Sequence, residues 1–451
     1  MQLRMADLPP GERSEGLPMR SRRQVTGALD ARREEARQGE LAHLTRHLRL
    51  SGSFGLMTKS PRVREQHIAV FGEAGSGKTV LVSSFFGPTQ EGAYENDLWD
   101  LVAEDAGQGS RLNRQYVGMR DHATAPGLTR FSATTYSFKV QLKGQDQKAA
   151  KGRPFDHLKL AWHDYPGEWF TESPSSEEES NRRVDTFRAL MRSDVALLLV
   201  DGQKLLDHQG EEERYLSALF TNFRQGLLRV RGDLQDGEQR LVEFPRIWLV
   251  ALSKADLFPN WDVHTFRDLV EYKAEKEIAR LRSTIEDLVD TPEALSVGED
   301  FMLLSSAKFS LAADAREPMS IDVTQRLGVD LILPLAAVLP LERRVQWHDR
   351  MEIPRRVLDT LADGAGAIAI AIAGSKYAPV AKLRAKMPRL GPDADKASDA
   401  IAWAAKLVGT QLKEANAHAR ERRDVLAATL TQFRIDLERG VTDKLLIKSR
   451  R

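Results

Sequence analysis

The sequence predicts an α/β fold in which a mostly parallel sheet carries helices on both faces. Residues 68–71, 195–200 and 246–252 are short, nearly continuous apolar runs, as is typical of parallel strands buried on both faces. Between them lie longer segments with apolar residues at helical spacing, such as residues 211–228. A chain that alternates strands and helices in this way favours a parallel sheet with helices packed against it.

The composition limits what else the protein can be. The chain has 451 residues, 41% of them hydrophobic, and a formal net charge of +1, so no overall field would draw it to nucleic acid or anionic lipid. It contains no cysteine, which excludes disulfides and thiolate sites and fits a reducing compartment. Neither a secretory signal nor an apolar run of about 18 residues is present. We therefore expect a cytoplasmic protein.

A phosphate-binding loop follows the first apolar run. Residues 72–79 read GEAGSGKT and lead into a helix-compatible segment. Glycines at these positions let backbone N–H groups turn toward phosphate oxygens, while Lys78 supplies a cation and Thr79 a hydroxyl ligand for Mg²⁺. The helix that follows adds its positive N-terminus to the anion site. The residues predicted to bind the nucleotide here are Gly72, Glu73, Ala74, Gly75, Ser76, Gly77, Lys78, Thr79 and Val80.

A second candidate element ends a predicted strand. Residues 135–142 and 157–163 read as a β-hairpin, and its second strand runs into DYPGEW at residues 164–169. Asp164 has the right side chain to hold Mg²⁺ through the metal's water shell, and Gly167 can offer its N–H to a terminal phosphate. Because both this strand and the phosphate loop end at one edge of the sheet, the two elements are expected to meet.

Two further strand ends carry the chemistry needed to select guanine. Ser253, Lys254 and Asp256 follow one strand, and the carboxylate can accept hydrogen bonds from both N–H groups of guanine while the lysine stem covers the ring. Adenine would leave buried polar groups unpaired, which costs enough free energy to discriminate between the bases. The next strand ends in Ser306, Ala307 and Lys308, where the Ala307 N–H is predicted to contact the guanine oxygen.

In order and spacing, these motifs resemble those of Ras-like GTPases of the translation-factor-related class. The stretch DYPGEW is similar to that of YcjX-like bacterial GTPases, and the long chain with extra helices resembles bacterial double-GTPases and conflict-system GTPases. The resemblance implies a P-loop fold, the cofactor Mg²⁺, and hydrolysis of GTP to GDP and phosphate as a molecular switch. It implies catalytic roles for Lys78, Gly167 and Glu168, and a metal ligand from the first switch, for which Thr129 and Thr134 are alternatives.

Two positions depart from the usual pattern of that class. Ser253 replaces the usual asparagine of the guanine motif, a change that keeps a small hydrogen-bonding side chain. Glu168 stands where many relatives carry the glutamine that orients the attacking water. A carboxylate next to the γ-phosphate is repelled, so a scaffold that binds GTP with little hydrolysis is an alternative to a GTPase.

Three regions are predicted along the chain. Residues 1–60 read as a flexible N-terminus with a charged helix, residues 61–341 as the GTPase domain, and residues 342–451 as a helical region without strands. Within the domain, residues 87–127 show little periodicity and are predicted to form a long loop or insertion at the first switch.

The output of the switch is expected to pass through a protein partner or a second copy of the chain. Nothing in the sequence indicates nucleic acid. Residues 365–374 form a short apolar segment followed by basic residues, for which a buried position is favoured over a membrane-contacting tip. The helical C-terminus leaves a dynamin-like, membrane-associated GTPase as a further alternative.

Overall fold

The computed structural model describes residues 63–92, 94, 96–127, 134–144, 157–164, 167–170, 175–234, 240–242, 244–310, 320–350, 410–421 and 425–449. Several predictions fall outside these residues: the flexible N-terminus and charged helix of residues 1–60, the switch candidate Thr129, and the apolar segment at residues 365–374. The division of the chain near residues 60 and 341 stays a prediction.

The sheet confirms the predicted α/β class. The strands of the described residues are β1 (Val63–Phe71), β2 (Trp99–Ala103), β3 (Thr134–Leu142), β4 (His157–Asp164), β5 (Val195–Asp201), β6 (Ile247–Ser253), β7 (Asp300–Leu303), β8 (Lys308–Ser310), β9 (Ser320–Asp322) and β10 (Leu446–Ile447). Eight of them form one sheet in the order β10-β7-β6-β5-β1-β4-β3-β2, and β8 pairs with β9. The five strands from β7 to β4 run parallel, whereas β2, β3 and β10 are antiparallel to their neighbours.

Helices cover both faces of the sheet. Those of the described residues are α1 (Lys78–Phe86), α2 (Ala106–His122), α3 (Glu177–Met191), α4 (Gly202–Asp207), α5 (Glu212–Leu234), α6 (Val263–Leu288), α7 (Ile332–Arg350), α8 (Thr410–Glu421) and α9 (Val425–Thr442). Alternate residues of β1 serve the two faces, as strand geometry requires. Ile68 and Val70 pack in the layer of α1, α7 and α9, whereas Ala69 and Phe71 pack in the layer of α3, α5 and α6.

The register of the parallel strands brings the predicted motifs to one edge. Val70, two residues before the phosphate loop, pairs with Asp164 at the end of β4. On the other side of β1, the last residue of β5, Asp201, pairs with Ser253 at the end of β6. The carboxyl ends of parallel strands are where such folds bind ligands, and this edge therefore carries the candidate site.

Of the two alternatives for residues 87–127, the loop is wrong, because most of that segment is regular structure; an insertion at the first switch stays a prediction. Strand β2 begins after Asn96, whose side-chain oxygen accepts hydrogen bonds from the N–H groups of Leu98 and Trp99 at 2.9 and 3.2 Å. Helix α2 begins after Asp105, whose side chain accepts from the Gln108 N–H at 2.7 Å, a standard N-cap. A five-residue strand and a helix with mean hydropathy below zero leave little periodicity for sequence reasoning to detect.

The expectation that strands stop after residue 341 is also wrong, since β10 pairs with β7. The segment after β10 is fixed by a buried ion pair between Arg343 of α7 and Asp300 of β7, which are 1% and 0% exposed. Asp300 also accepts the backbone N–H of Ser449 at 2.7 Å, and Arg343 donates to the Ser449 carbonyl at 2.8 Å. None of the helices described is long and apolar enough to cross a membrane.

Candidate functional site

The phosphate loop has the geometry that its glycines predict. Gly75 and Gly77 have φ angles of 81° and 89°, in the left-handed region that side chains other than glycine rarely adopt. Lys78 opens helix α1 and is 8% exposed. Its ammonium donates to the carbonyl oxygens of Gly72 and Glu73 at 2.7 and 3.0 Å. The cation is thereby held over the loop whose N–H groups are predicted to surround phosphate.

Beside the loop lies a cleft of about 250 Å³, which we call the phosphate cleft. It is lined by Ala74, Gly75, Gly77, Lys78, Thr79, Val80, Ala125, Pro126, Gly127, Asp164, Gly167, Lys254 and Phe309. Residues 125–127 follow helix α2, so the segment predicted as the first-switch insertion ends at this cleft. The structure thus brings the phosphate loop and the residues of the second motif, Asp164 and Gly167, together.

Two oxygen donors suit a divalent cation in this cleft. The Thr79 hydroxyl lies 3.4 Å from Oδ2 of Asp164, and Asp164 is 4% exposed. Hydroxyl and carboxylate oxygens are the ligands that Mg²⁺ takes beside substrate phosphates. Thr134, the described one of the two switch candidates, pairs with Asp164 across β3 and β4. Burial, and then the nearby charge of Asp164, raise the pKa of Tyr136.

Gly167 lies directly on the phosphate loop. A Cβ atom at this position would overlap the backbone of Glu73 and Ala74 and lie 2.8 Å from the Gly72 carbonyl oxygen. Only a glycine fits this approach, which places the residue predicted to contact the terminal phosphate against the loop that binds phosphate. Glu168 continues the same short 3₁₀ turn, residues 167–170, but its side chain lies outside the described residues.

The turn is anchored from helix α3, which sequence reasoning did not anticipate. Arg183 stacks over the ring of Trp169 at 5.5 Å and donates to the Trp169 carbonyl at 3.3 Å. Glu179, one turn earlier in α3, accepts from the Arg183 guanidinium at 3.1 Å. Hydrogen bonds from Ser175 and Arg183 lower the pKa of Glu179 to about 2. The acidic, serine-rich composition of residues 173–180 predicts a solvated loop, and this prediction is wrong from Glu177 on, where α3 begins.

A second cleft, of about 200 Å³, adjoins the first, and we call it the base cleft. It is lined by Ser76, Gly77, Val80, Leu81, Leu199, Gln203, Ser253, Lys254, Asp256, Leu257, Leu304, Ser305, Ser306 and Phe309. Lys254 has a φ angle of 55°, and its ammonium lies 2.7 Å from Oδ1 of Asp201. The aliphatic stem of Lys254 borders the cleft while its charge is held at the end of β5.

The carboxylate of Asp256 is held by two donors, one from the loop after β7 and one from strand β8. The Ser305 hydroxyl lies 2.7 Å from Oδ1, and the Phe309 N–H donates to Oδ2 at 3.2 Å. A carboxylate has about four acceptor positions, so each oxygen keeps one for a ligand. Sequence reasoning missed Ser305 and Phe309, although both flank the predicted motif of residues 306–308.

Of the other residues predicted to contact the base, some line the base cleft and others make contacts elsewhere in the fold. The Ser253 hydroxyl donates to the Val200 carbonyl at 3.2 Å, so it links β6 to β5. Ser306 lines the base cleft, and its carbonyl accepts from Ser84 of α1 at 2.9 Å. The side chain of Ala307 is buried in a small apolar cluster with Tyr116 of α2. The contacts predicted for the Ala307 N–H and for Lys308 with guanine stay predictions.

An ion pair joins the phosphate loop to the helix after β5. The Lys204 ammonium lies 2.9 Å from Oε2 of Glu73. Because Asp201 at the start of the same helix binds Lys254, the short helix α4 contacts both the phosphate loop and the base loop. Among the residues described, no group of three or more His, Asp or Glu side chains forms a separate metal site.

A phosphate loop, a hydroxyl and carboxylate pair of the kind that suits a divalent cation, and a carboxylate-bearing loop after β6 at one sheet edge define a P-loop nucleotide-binding protein of the GTPase class. Comparison with known proteins agrees with this class: residues 66–289, from β1 to the end of α6, match the family model of Double-GTPase 2. That match agrees with the resemblance to double-GTPases, whereas the YcjX-like resemblance stays a prediction. No curated protein sequence matches the chain.

Two solved structures are similar to parts of the chain. One is the signal recognition particle receptor SRb-GTP/SRX complex from Chaetomium thermophilum, at 16% identity and a TM-score of 0.27, covering 55% of this chain and 94% of that one. The other is an oligomerised bacterial dynamin pair, at 16% identity and a TM-score of 0.22, covering 71% of this chain and 57% of that one. The match thus spans little more than half of the dynamin chain, and at these TM-scores neither likeness carries further argument.

Proposed function

We propose that the protein binds GTP with Mg²⁺, hydrolyses it to GDP and phosphate, and acts as a molecular switch in the cytoplasm through a protein partner or a second copy of the chain. The observation that carries this proposal is the meeting of the two clefts, which share Gly77, Val80, Lys254 and Phe309. A ligand that fills both would place phosphates at Lys78 and a base at Asp256.

The residues of the chain divide the chemistry between them. Lys78 and the backbone N–H groups of the phosphate loop hold the β- and γ-phosphates and offset their charge. Bound Mg²⁺ would supply further charge neutralisation, held by Thr79 and Asp164 and by a first-switch threonine, Thr129 or Thr134. Gly167, fixed against the loop, offers its N–H to the γ-phosphate, and loss of the γ-phosphate releases the 3₁₀ turn.

Slow intrinsic hydrolysis is expected. In the described part of the site, no arginine lines either cleft, and GTPases that receive an arginine only from a partner turn over at about 10⁻⁴ per second alone. A partner that inserts a cation beside the γ-phosphate would raise the rate by several orders of magnitude. This dependence makes the partner the natural point of control.

Calorimetry with GTP, GDP and ATP in the presence of Mg²⁺ tests the nucleotide assignment. We expect binding of GTP and GDP but not ATP, loss of tight binding in Lys78→Ala, and a preference for xanthine nucleotides in Asp256→Asn. Asp268→Asn, an exposed acid on α6, is the matched control. Equal affinity for ATP and GTP in the wild-type protein would contradict the proposal.

A second candidate function, a GTP-dependent scaffold with little hydrolysis, is favoured by Glu168 at the position of the usual glutamine. Single-turnover hydrolysis with and without cell extract separates the two. Tight GTP binding with no phosphate release under either condition would favour the scaffold. For the dynamin-like alternative, co-sedimentation with anionic liposomes in the GTP and GDP states is the direct measurement, and failure to sediment in both would exclude it.

A further inference from the structure

We propose that Phe309 forms an aromatic wall of the nucleoside site, so that its ring stacks on the purine of the bound nucleotide. The inference rests on the proposed function and adds to it a residue that determines affinity for the nucleoside. None of the motifs that indicate guanine binding includes residue 309. The argument comes from its place between the two clefts and from the contacts that hold it there.

Phe309 lies where the two clefts meet. It lines the base cleft and the phosphate cleft, as do Gly77 of the phosphate loop, Val80 of helix α1 and Lys254 of the base loop. A nucleoside, the base with its ribose, extends from the base edge to the first phosphate, so a residue that lines both clefts lies beside it. Phe309 is the aromatic residue among the described side chains that line either cleft, and a purine offers it a flat face.

The backbone of Phe309 is fixed from two sides. Its N–H donates to Oδ2 of Asp256 at 3.2 Å, which ties the residue to the carboxylate predicted to read guanine. In the β8–β9 ladder it pairs with Ile321. The hydrogen bond uses the backbone N–H, and the strand pairing is also a backbone interaction. Both therefore hold residue 309 beside Asp256 whichever side chain it carries.

The Phe309 side chain also packs against an apolar cluster. It is partly buried against the apolar cluster of Tyr116, Met119, Ala307, Ile321 and Val323. The cluster joins helix α2 to the paired strands β8 and β9, so Phe309 is packed against two elements of the fold. A ring that is supported before the ligand arrives loses little side-chain freedom on binding.

Stacking on Phe309 and hydrogen bonding to the guanine edge by Asp256 should affect nucleotide affinity in different ways. Every purine has a π-face, and stacking on an aromatic side chain strengthens binding by about 5- to 150-fold with little regard to the base. Asp256, in contrast, reads the N–H groups at the guanine edge. Loss of the Phe309 ring should therefore weaken all purine nucleotides by a similar factor, whereas changes at Asp256 should alter the preference among them.

Calorimetry of GDP and IDP with Mg²⁺, on the full chain, tests this difference. IDP lacks the exocyclic amine of GDP, so the ratio of the two affinities measures edge recognition. We expect Phe309→Ala to bind both nucleotides at least about fivefold more weakly with their ratio unchanged, and Phe309→Tyr to restore both. Phe309→Leu keeps an apolar side chain on the cluster without a planar face and is expected to resemble Phe309→Ala while folding normally.

Tyr272→Ala is the matched control, since this aromatic residue of α6 is 84% exposed and its loss should change neither affinity. Wild-type affinities in both Phe309→Ala and Phe309→Leu would overturn the inference. So would a changed ratio of GDP to IDP affinity, because the ring would then act through Asp256. Absence of GDP binding by the wild-type protein would instead overturn the proposed function, so the two failures are distinguishable.

Discussion

The Lys254 ammonium and the Asp201 carboxylate are 2.7 Å apart, with the lysine side chain 31% and the aspartate 3% exposed. Asp201 is the last residue of β5, and Lys254 follows the last residue of β6, in the left-handed conformation that starts the base loop. The ion pair therefore fixes the lysine stem along the base cleft before a ligand is present. It also ties base recognition to a strand next to β1, which leads into the phosphate loop.

Removing the charge of Asp201 should loosen Lys254. We expect Asp201→Asn to weaken GDP binding by about fivefold, roughly 1 kcal/mol, because the Lys254 ammonium then donates to a neutral amide oxygen in place of a carboxylate. The preference for guanine over adenine should remain, since Asp256 is unchanged. Asp207→Asn, at the exposed end of the same helix, is the control in the same calorimetric titration. An unaltered affinity in Asp201→Asn would show that the lysine needs no such anchor.

A substitution at Gly167 tests whether close contact between the 3₁₀ turn and the phosphate loop is needed for GTP hydrolysis. An alanine there would overlap the backbone of Glu73 and Ala74, so the turn must move away and lose its contact with the γ-phosphate. We expect Gly167→Ala to slow single-turnover hydrolysis by about 100-fold, as loss of one backbone donor does elsewhere, while GDP still binds. Gly232→Ala, where a Cβ atom meets open space, should hydrolyse GTP at the wild-type rate. Equal rates in the two variants would contradict the placement.

The buried ion pair of Arg343 and Asp300 should dominate the stability of the sheet edge at β7. Arg343→Leu leaves Asp300 buried without its main counter-charge and should lower the free energy of unfolding by about 3–5 kcal/mol. Burial already raises the pKa of Asp300. The double variant with Asp300→Asn should recover part of the loss in urea titrations.

Arg420→Leu is the matched control, because the pair of Arg420 and Asp97 is exposed and should contribute less than about 1 kcal/mol. If the two arginine variants lose the same stability, the buried pair has no special role.

His163 should make stability depend on pH. Its ring is 9% exposed and lies 3.0 Å from the His67 ring nitrogen. Burial, and then the charge of His67, lower the His163 pKa from 6.5 to about 4. The unfolded chain therefore binds more protons than the folded one between these values, and stability should fall as the pH drops from 6.5 to 4. The loss accumulates at about 1.4 kcal/mol per pH unit and reaches about 3 kcal/mol near the lower limit.

Urea unfolding at several pH values, without nucleotide, checks this dependence. His163→Gln should flatten the profile relative to wild type, whereas His122→Gln on the exposed end of α2 should leave it unchanged. A profile that is identical in wild type and His163→Gln would show that His163 does not remain neutral in the folded protein.

Much of the fold was predictable because its central strands are continuous apolar runs and its site residues follow a fixed pattern. The phosphate loop with Lys78, and the strand that ends at Asp164, lie at one edge as predicted. Ser305 and Phe309 could not be found in the same way, since their roles depend on a hydroxyl and an N–H meeting Asp256, which lies far away in the chain. Strand β10 was missed for a related reason, because two residues carry no detectable alternation.

The pairing of β10 with β7 has a consequence for how the molecule is made. The ribosome synthesises β7 and the base loop long before β10, so until residues 446–447 emerge this edge of the sheet lacks its final strand. An open strand edge can pair with other chains, and strands that are far apart in the chain pair slowly because chain entropy is lost before their contacts form. The nascent protein therefore passes through a stage in which its base loop is complete but its sheet is prone to association.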